Sequence, residues 1–248
     1  MKNVSGNTAV IEIEGLSKRF GEKNVLSDLN FKLYEGESVV VLGKSGSGKS
    51  VLIKCIIGLI RPDAGVLKVF GEDILMLNRK ELDKVRTRIG FLFQNNALYD
   101  SMTVRENLEF PLRRHSRKLE RKNVDALVME ALDSVGLKET VEMMPAELSG
   151  GMRKRIALAR TLIMKPEIIL YDEPTTGLDP ITAKEIITLM NLIHEKYHTS
   201  SLIISHDMNC IRMTADRIVV LIDGQCATEG TYQELKNSAN EQVKKFFS

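Results

Sequence analysis

Gly43-Lys44-Ser45-Gly46-Ser47-Gly48-Lys49-Ser50 combines glycines that let backbone N–H groups turn inward with a lysine and a hydroxyl at its end. A G-x-x-x-x-G-K-S loop set between a strand and a helix is a phosphate cradle. Its N–H groups and the helix N-terminus together supply partial positive charge where a phosphate would sit. Lys49 would reach the β- and γ-phosphates, and Ser50 would offer its hydroxyl to Mg²⁺. The plainer alternative is a turn that only connects two elements. The flanks argue against it: Glu37-Ser38-Val39-Val40-Val41-Leu42 reads as a short buried strand, and Val51-Leu52-Ile53-Lys54-Cys55-Ile56-Ile57 as an apolar helix. The expectation is a nucleoside triphosphate site.

A second group of reactive side chains lies far along the chain. Ile168-Ile169-Leu170-Tyr171-Asp172-Glu173 is an apolar strand ending in two carboxylates. Ligands of a parallel sheet sit beyond the C-terminal strand ends, so both acids would emerge beside the phosphates. Asp172 can hold Mg²⁺ through water, and Glu173 can act as general base on the attacking water. Leu202-Ile203-Ile204-Ser205 is another strand, with His206 at its end. There an imidazole could contact a γ-phosphate or orient Glu173 and the water. His115, His194 and His198 lack such a setting and receive no role.

The elements that must position these groups read as one α/β domain with a helical insertion. Strands are predicted at Val10-Ile11-Glu12-Ile13, at Phe31-Lys32-Leu33-Tyr34 and over 66–70. Further strands follow at Ile89-Gly90-Phe91-Leu92-Phe93 and at Ile218-Val219-Val220-Leu221, with Asp223-Gly224 as a hairpin turn. From 103 to 165 the pattern is helical. Val124, Leu127, Val128, Ala131, Leu132 and Val135 share one helical face, and Gly136 ends it.

With 248 residues, 43% apolar and 27% charged, the chain is an ordinary globular one. A net charge of +2 points to no nucleic-acid partner. Cys55, Cys210 and Cys226 lack metal-ligand spacing and read as reduced thiols. No secretory leader is evident, and the longest apolar stretch, 51–60, is interrupted by Lys54 and too short to span a bilayer.

Leu148-Ser149-Gly150-Gly151-Met152 opens a helix rich in Arg and Ala, and a serine with two glycines at a helix start is a second phosphate-binding element. The cradle and this element together resemble the ATP-binding cassette family and its LSGGQ-like signature. Gln94 matches the family's Q-loop glutamine, a further Mg²⁺ ligand and catalytic group. Thr176-Gly177-Leu178-Asp179 matches the D-loop, His206 the switch histidine, and Phe20 the aromatic residue that stacks on adenine. The resemblance implies a P-loop, RecA-like core over about 8–96 and 164–235. It also implies an N-terminal antiparallel β subdomain, a helical subdomain over about 97–163 and a tail over about 236–248. A composite ATP site is implied too, in a head-to-tail pair of copies. Ser149 and Gly151 of one copy would contact the γ-phosphate held by the other, with Gly150 a further ATP-binding residue of the same segment, and Asp179 would couple the two sites. Met152 departs from the usual glutamine and offers only a weak thioether acceptor in place of an amide.

Within the family the chain looks like the ATPase subunit of Mla/Mce-type phospholipid transporters. That likeness rests on Leu92-Phe93-Gln94-Asn95-Asn96-Ala97-Leu98-Tyr99-Asp100-Ser101-Met102-Thr103-Val104, on 107–112, on Glu147 with the signature, and on the run from Asp172 to Ile181. Amino-acid importer ATPases share much of this wording. The resemblance implies a separate permease, an Mce-domain lipid-binding partner, and a cytoplasmic location against the inner face of the membrane. Ala97, Leu98, Tyr99, Met102 and Val104 form the expected permease-docking patch. Arg113, Arg114, Arg117, Lys118, Arg121 and Lys122 would cluster on one side of a continuous helix; a solvated face is the plain reading and contact with anionic headgroups the sharper one. The tail 237–248 reads as a short amphipathic helix ending in Phe246-Phe247. A non-transport cassette ATPase, for example in cell division, keeps the same motifs and is the alternative. A small kinase or GTPase fails on Ser149-Gly150-Gly151 and on the lack of N-K-x-D.

Overall fold

The strands alternate between two cores, and that alternation organises the molecule. A computed structural model describes residues 8–115 and 120–247. Its strands are β1 (Ala9–Phe20), β2 (Lys23–Tyr34), β3 (Ser38–Leu42), β4 (Ala64–Val69) and β5 (Glu72–Asp73). They continue with β6 (Ile89–Leu92), β7 (Ile168–Asp172), β8 (Ser200–Ile204), β9 (Arg217–Ile222) and β10 (Gln225–Gly230). The helices are α1 (Lys49–Ile56), α2 (Arg79–Thr87), α3 (Val104–His115), α4 (Arg121–Ser134) and α5 (Gly150–Leu162). After them come α6 (Pro180–Tyr197), α7 (Met208–Thr214), α8 (Tyr232–Lys236) and α9 (Glu241–Lys244).

A six-stranded sheet runs in the order β10-β9-β3-β8-β7-β6, parallel except for the β9/β10 hairpin. β3 is Ser-Val-Val-Val-Leu and buried throughout, as expected of a strand covered on both faces. Val39, Val41, Ile168, Leu170, Leu202 and Ile204 point into one core, with α1 and the second sheet, which is antiparallel and ordered β2-β1-β4-β5. Val40, Leu42, Ile169, Tyr171 and Ile203 point into the other, against α5, α6 and α7. Each such side chain contributes on the order of 1.5–3 kcal/mol when fully buried. α3, α4 and the outer face of α5 close a third core around Val104, Leu108, Val128, Leu132 and Ile156. Cys55 and Cys210 are buried and unpaired, and burial pushes their thiols up to about 11 and about 12.

Three expectations are corrected here. The basic run does not lie on a continuous helix: α3 ends at His115, and Glu120 is extended (φ −65°, ψ 146°) before α4 begins. Arg113 and Arg114 therefore belong to one helix and Arg121 and Lys122 to another, while Arg117 and Lys118 lie outside the described residues. Val104 is wholly buried in the third core and is no part of an exposed patch. Tyr99, 43% exposed, stacks on Phe110 at 4.9 Å. With Ala97, Phe93 and Arg160 these rings line a groove of about 390 Å³. The tail is helical only over Glu241–Lys244, and Phe246 and Phe247 pack back on the second core, Phe247 edge-to-face with Tyr232 at 5.4 Å.

Candidate functional site

Register brings the reactive ends together. Leu92 pairs with Tyr171, Asp172 with Ile204, and Val41 with Ile204, so β3, β6, β7 and β8 all end at one edge. The phosphate loop, Gln94, the Asp172-Glu173 pair and His206 leave the sheet there.

Gly48 caps α1 at φ 101°, and a Cβ on it would lie 2.6 Å from the Val25 carbonyl oxygen. The loop is thus pressed against β2 at a point only glycine fits. Lys49 is buried and donates to the carbonyls of Gly43 at 2.6 Å and Lys44 at 2.9 Å. Burial holds its ammonium below the ordinary lysine value, against the pull of Glu173 and Asp172. Ser47 Oγ is buried and has no hydrogen-bond partner among the described residues. An orphaned hydroxyl and a lysine at the start of a helix are what a triphosphate would satisfy.

Ser50 Oγ donates to Asp172 Oδ1 at 3.4 Å. Burial, and then the neighbouring Glu173, hold the Asp172 carboxyl above its ordinary value. A nearby cation would relieve both. Among the described residues no cluster of His, Cys, Asp and Glu could hold a metal alone. One hydroxyl and one carboxylate suit Mg²⁺ that shares its shell with phosphate oxygens and water.

Glu173 sits in the left-handed region at φ 51°, with its N–H donating to the Ile204 carbonyl at 2.9 Å. A non-glycine residue held there is strained, and such strain collects at functional sites. Glu173 Oε2 is 2.8 Å from His206 Nδ1 and accepts from Thr176 Oγ1 at 3.2 Å. A carboxylate only accepts, so Nδ1 is the donor in this contact, on a His206 side chain that is largely exposed. No hydrogen bond among the described residues engages Glu173 Oε1.

Other expected site residues stand apart. Phe20 ends β1 and is 49% exposed, with Lys18 Nζ 5.3 Å from its ring centre. Ser149 is the N-cap of α5, accepting from Met152 N–H at 3.2 Å, and Ser149 and Gly150 are exposed. Among the described residues no hydrogen bond or ion pair joins 149–151 to the phosphate loop of the same chain. Asp179 caps α6 by accepting from Ile181 and Thr182 N–H, and Thr182 Oγ1 donates to it at 2.6 Å. These bonds hold its carboxyl below the ordinary value.

Sequence reasoning passed over two cations. Lys154 in α5 donates to the Gln94 carbonyl at 2.9 Å, and Arg160 donates to the carbonyls of Ala97 and Asn96 at 2.7 and 3.0 Å. Burial pushes the Lys154 ammonium down to about 8. Lys154 stands between Arg153 and Arg155 in the sequence, so only its place less than a turn before Ile156-Ala157-Leu158 hints that it shares their buried face.

Comparison with known proteins adds four findings. A profile of the ABC transporter family matches residues 26–176. The "probable ribonucleotide transport ATP-binding protein mkl" of Mycobacterium leprae is 40% identical over 238 residues, covering 96% of this chain and 68% of that protein. The "intermembrane phospholipid transport system ATP-binding protein MlaF" of Haemophilus influenzae is 35% identical over 240 residues, covering 97% and 90%. Among solved structures, a dimeric ATP-binding cassette in a post-hydrolysis state bound to ADP and Pi superposes with a TM-score of 0.81 at 32% identity, over 89% of this chain and 98% of that one.

Proposed function

The chain belongs to the ABC transporter family, as an ATP-binding subunit and an ATPase, and on that premise we propose that it powers movement of a phospholipid or similar hydrophobic molecule through a separate permease. The observation that carries the substrate class is the likeness to the phospholipid-transport protein of Haemophilus influenzae, which spans nearly the whole of both chains. No helix among the described residues is long and apolar enough to cross a membrane. In this proposal a separate permease supplies the spanning segments, joined by an Mce-domain lipid carrier. The mycobacterial relative favours a second reading, ribonucleotide transport, through the same engine.

In the proposed cycle two copies pair head to tail. Phosphate-loop amides, Lys49 and Ser47 would bind the triphosphate of one copy, with Phe20 against its base. Ser149, Gly150 and Gly151 of the other copy would close over the γ-phosphate, which accounts for Ser149 and Gly150 standing exposed in a single chain. Ser50, Asp172 and Gln94 would hold Mg²⁺, which supplies charge neutralisation at the phosphates. Glu173 Oε1 takes a proton from the attacking water while His206 and Thr176 hold Oε2. His206 would meet the γ-phosphate through its other ring nitrogen, and Asp179 would pass closure from one site to the other.

Glu173→Gln should retain Mg-ATP, form a stable dimer and lose at least about a hundredfold in turnover, as removal of a general base does; turnover like the wild type would remove Glu173 from this role. Affinity purification of that variant from detergent-solubilised native membranes with Mg-ATP, followed by mass spectrometry, tests the partners. A multi-spanning permease with an Mce-domain protein supports the phospholipid reading. A permease of another substrate class overturns the substrate but keeps the engine, and soluble or division proteins alone overturn transport.

A further inference from the structure

Lys154 is 2% exposed, one turn inside a helix whose neighbouring core positions are Ile156, Ala157 and Leu158. An ammonium in such surroundings is costly unless something holds it. Methionine, of similar length, would fill the same space without that cost, so packing does not explain a lysine here. What the ammonium holds is the main-chain carbonyl of Gln94, at 2.9 Å.

That carbonyl begins a short and unusual stretch. Asn96 and Ala97 both adopt left-handed backbone, at φ 61° and 52°, although neither is glycine. Successive residues in that region cost free energy and persist only where surrounding contacts over-determine them. The contacts come from one helix. Lys154 takes the carbonyl of Gln94, and Arg160, further along α5, takes those of Asn96 and Ala97. The start of α5 is the 149–151 segment itself, with Ser149 and Gly150 exposed.

We propose that Lys154 is a positioning residue: its ammonium, seated on the Gln94 carbonyl, makes the Gln94 loop travel with α5 and so with Ser149, Gly150 and Gly151 at that helix's start. The Gln94 side chain stays unencumbered for the site, because Lys154 grips only main chain. Movement of the 149–151 segment toward a partner's nucleotide then carries Gln94 with it in the same chain. This rests on the roles proposed above for Gln94 and the signature.

The test uses the full chain with Lys154→Met and Lys154→Arg, read by amide hydrogen exchange and by ATPase kinetics. Lys154→Met should speed exchange across 94–97 by about tenfold while the β3, β7 and β8 amides keep theirs. Turnover should fall by about tenfold with KM held within about twofold, since geometry rather than nucleotide binding is lost. The melting temperature should match or exceed the wild type, whereas a purely structural lysine would lower it. Lys154→Arg should restore loop protection and turnover in part. Wild-type exchange over 94–97 in Lys154→Met overturns the proposal, as does lost turnover with an unchanged loop. If the methionine variant does not fold, Lys154→Gln, too short to reach, takes its place with the same expectations. A wild-type chain that hydrolyses no ATP defeats the functional reading instead, and the exchange result still judges the grip of Lys154.

Discussion

Gly48 and Gly150 stand at the starts of two helices, the first behind the phosphate loop and the second behind Ser149. A Cβ on Gly48 would meet the Val25 carbonyl at 2.6 Å and Leu26 Cδ2 at 2.8 Å, at a φ of 101°. A Cβ on Gly150 would meet nothing within 4 Å, and its φ lies outside the left-handed region. The phosphate loop is therefore a finished object within one chain, with glycine demanded by the chain's own backbone. Gly150 answers to no neighbour in its own chain. Its surroundings differ as well, because the loop is seated on the sheet's two large cores and α5 also carries the smaller third core. One segment is fixed by its own chain's packing; the other, on the reading proposed above, is left for a partner to meet.

Substituting Gly48 probes the finished half most severely. Gly48→Ala should destabilise the fold by about 3 kcal/mol, combining positive-φ strain with overpacking against main chain that cannot retreat. The urea midpoint reports it, and nucleotide affinity should fall in parallel. A midpoint within error of the wild type would mean the cradle adapts, and the contrast with Gly150 would collapse.

Asn107 probes the independence of the helical body. Its side chain is fully buried, accepts from Tyr99 N–H at 2.8 Å, and donates to the carbonyls of Tyr99, Met102 and Thr103. Asn107→Ala should cost about 2 kcal/mol, since it leaves buried backbone groups unpaired. Amide exchange should locate the loss in α3, α4 and α5, with β3, β7 and β8 protected as before. Equal loss across the central sheet would show one cooperative unit in place of two bodies.

How much of this could be read from residues alone follows the same division. The cradle was legible because its constraints are local: glycines, lysine and serine at fixed offsets between a strand and a helix. Asp172, Glu173 and His206 were legible because each ends a strand of continuous apolar residues, and parallel strands share an edge. What stayed hidden depends on elements meeting across the fold. Lys154 reads as one more cation in a basic helix until α5 lies beside the loop after β6. The bond from Thr176 to Glu173, the left-handed Asn96 and Ala97, and the seat of Phe247 on Tyr232 are of the same kind. The basic run misled because charge spacing has no marker for an extended residue such as Glu120 between two helices.

The smallest expected effect is the one that separates the two halves most cleanly. Gly150→Ala puts a methyl group into open space at the first turn of α5, where alanine is the better helix former. The isolated chain should gain up to about 1 kcal/mol, because the unfolded state loses conformational freedom that glycine provides. Chemical denaturation of the ATP-free protein measures this. On the reading proposed here, the demand for glycine arises only when a partner's nucleotide closes over the segment, so ATP-driven dimerisation of the Glu173→Gln background should weaken in the same variant. Analytical ultracentrifugation with Mg-ATP decides it. Stability raised and dimerisation lost would place the constraint between chains, whereas a destabilised monomer would place it within one. Unchanged dimerisation would deny the segment any contact that depends on its lacking a side chain.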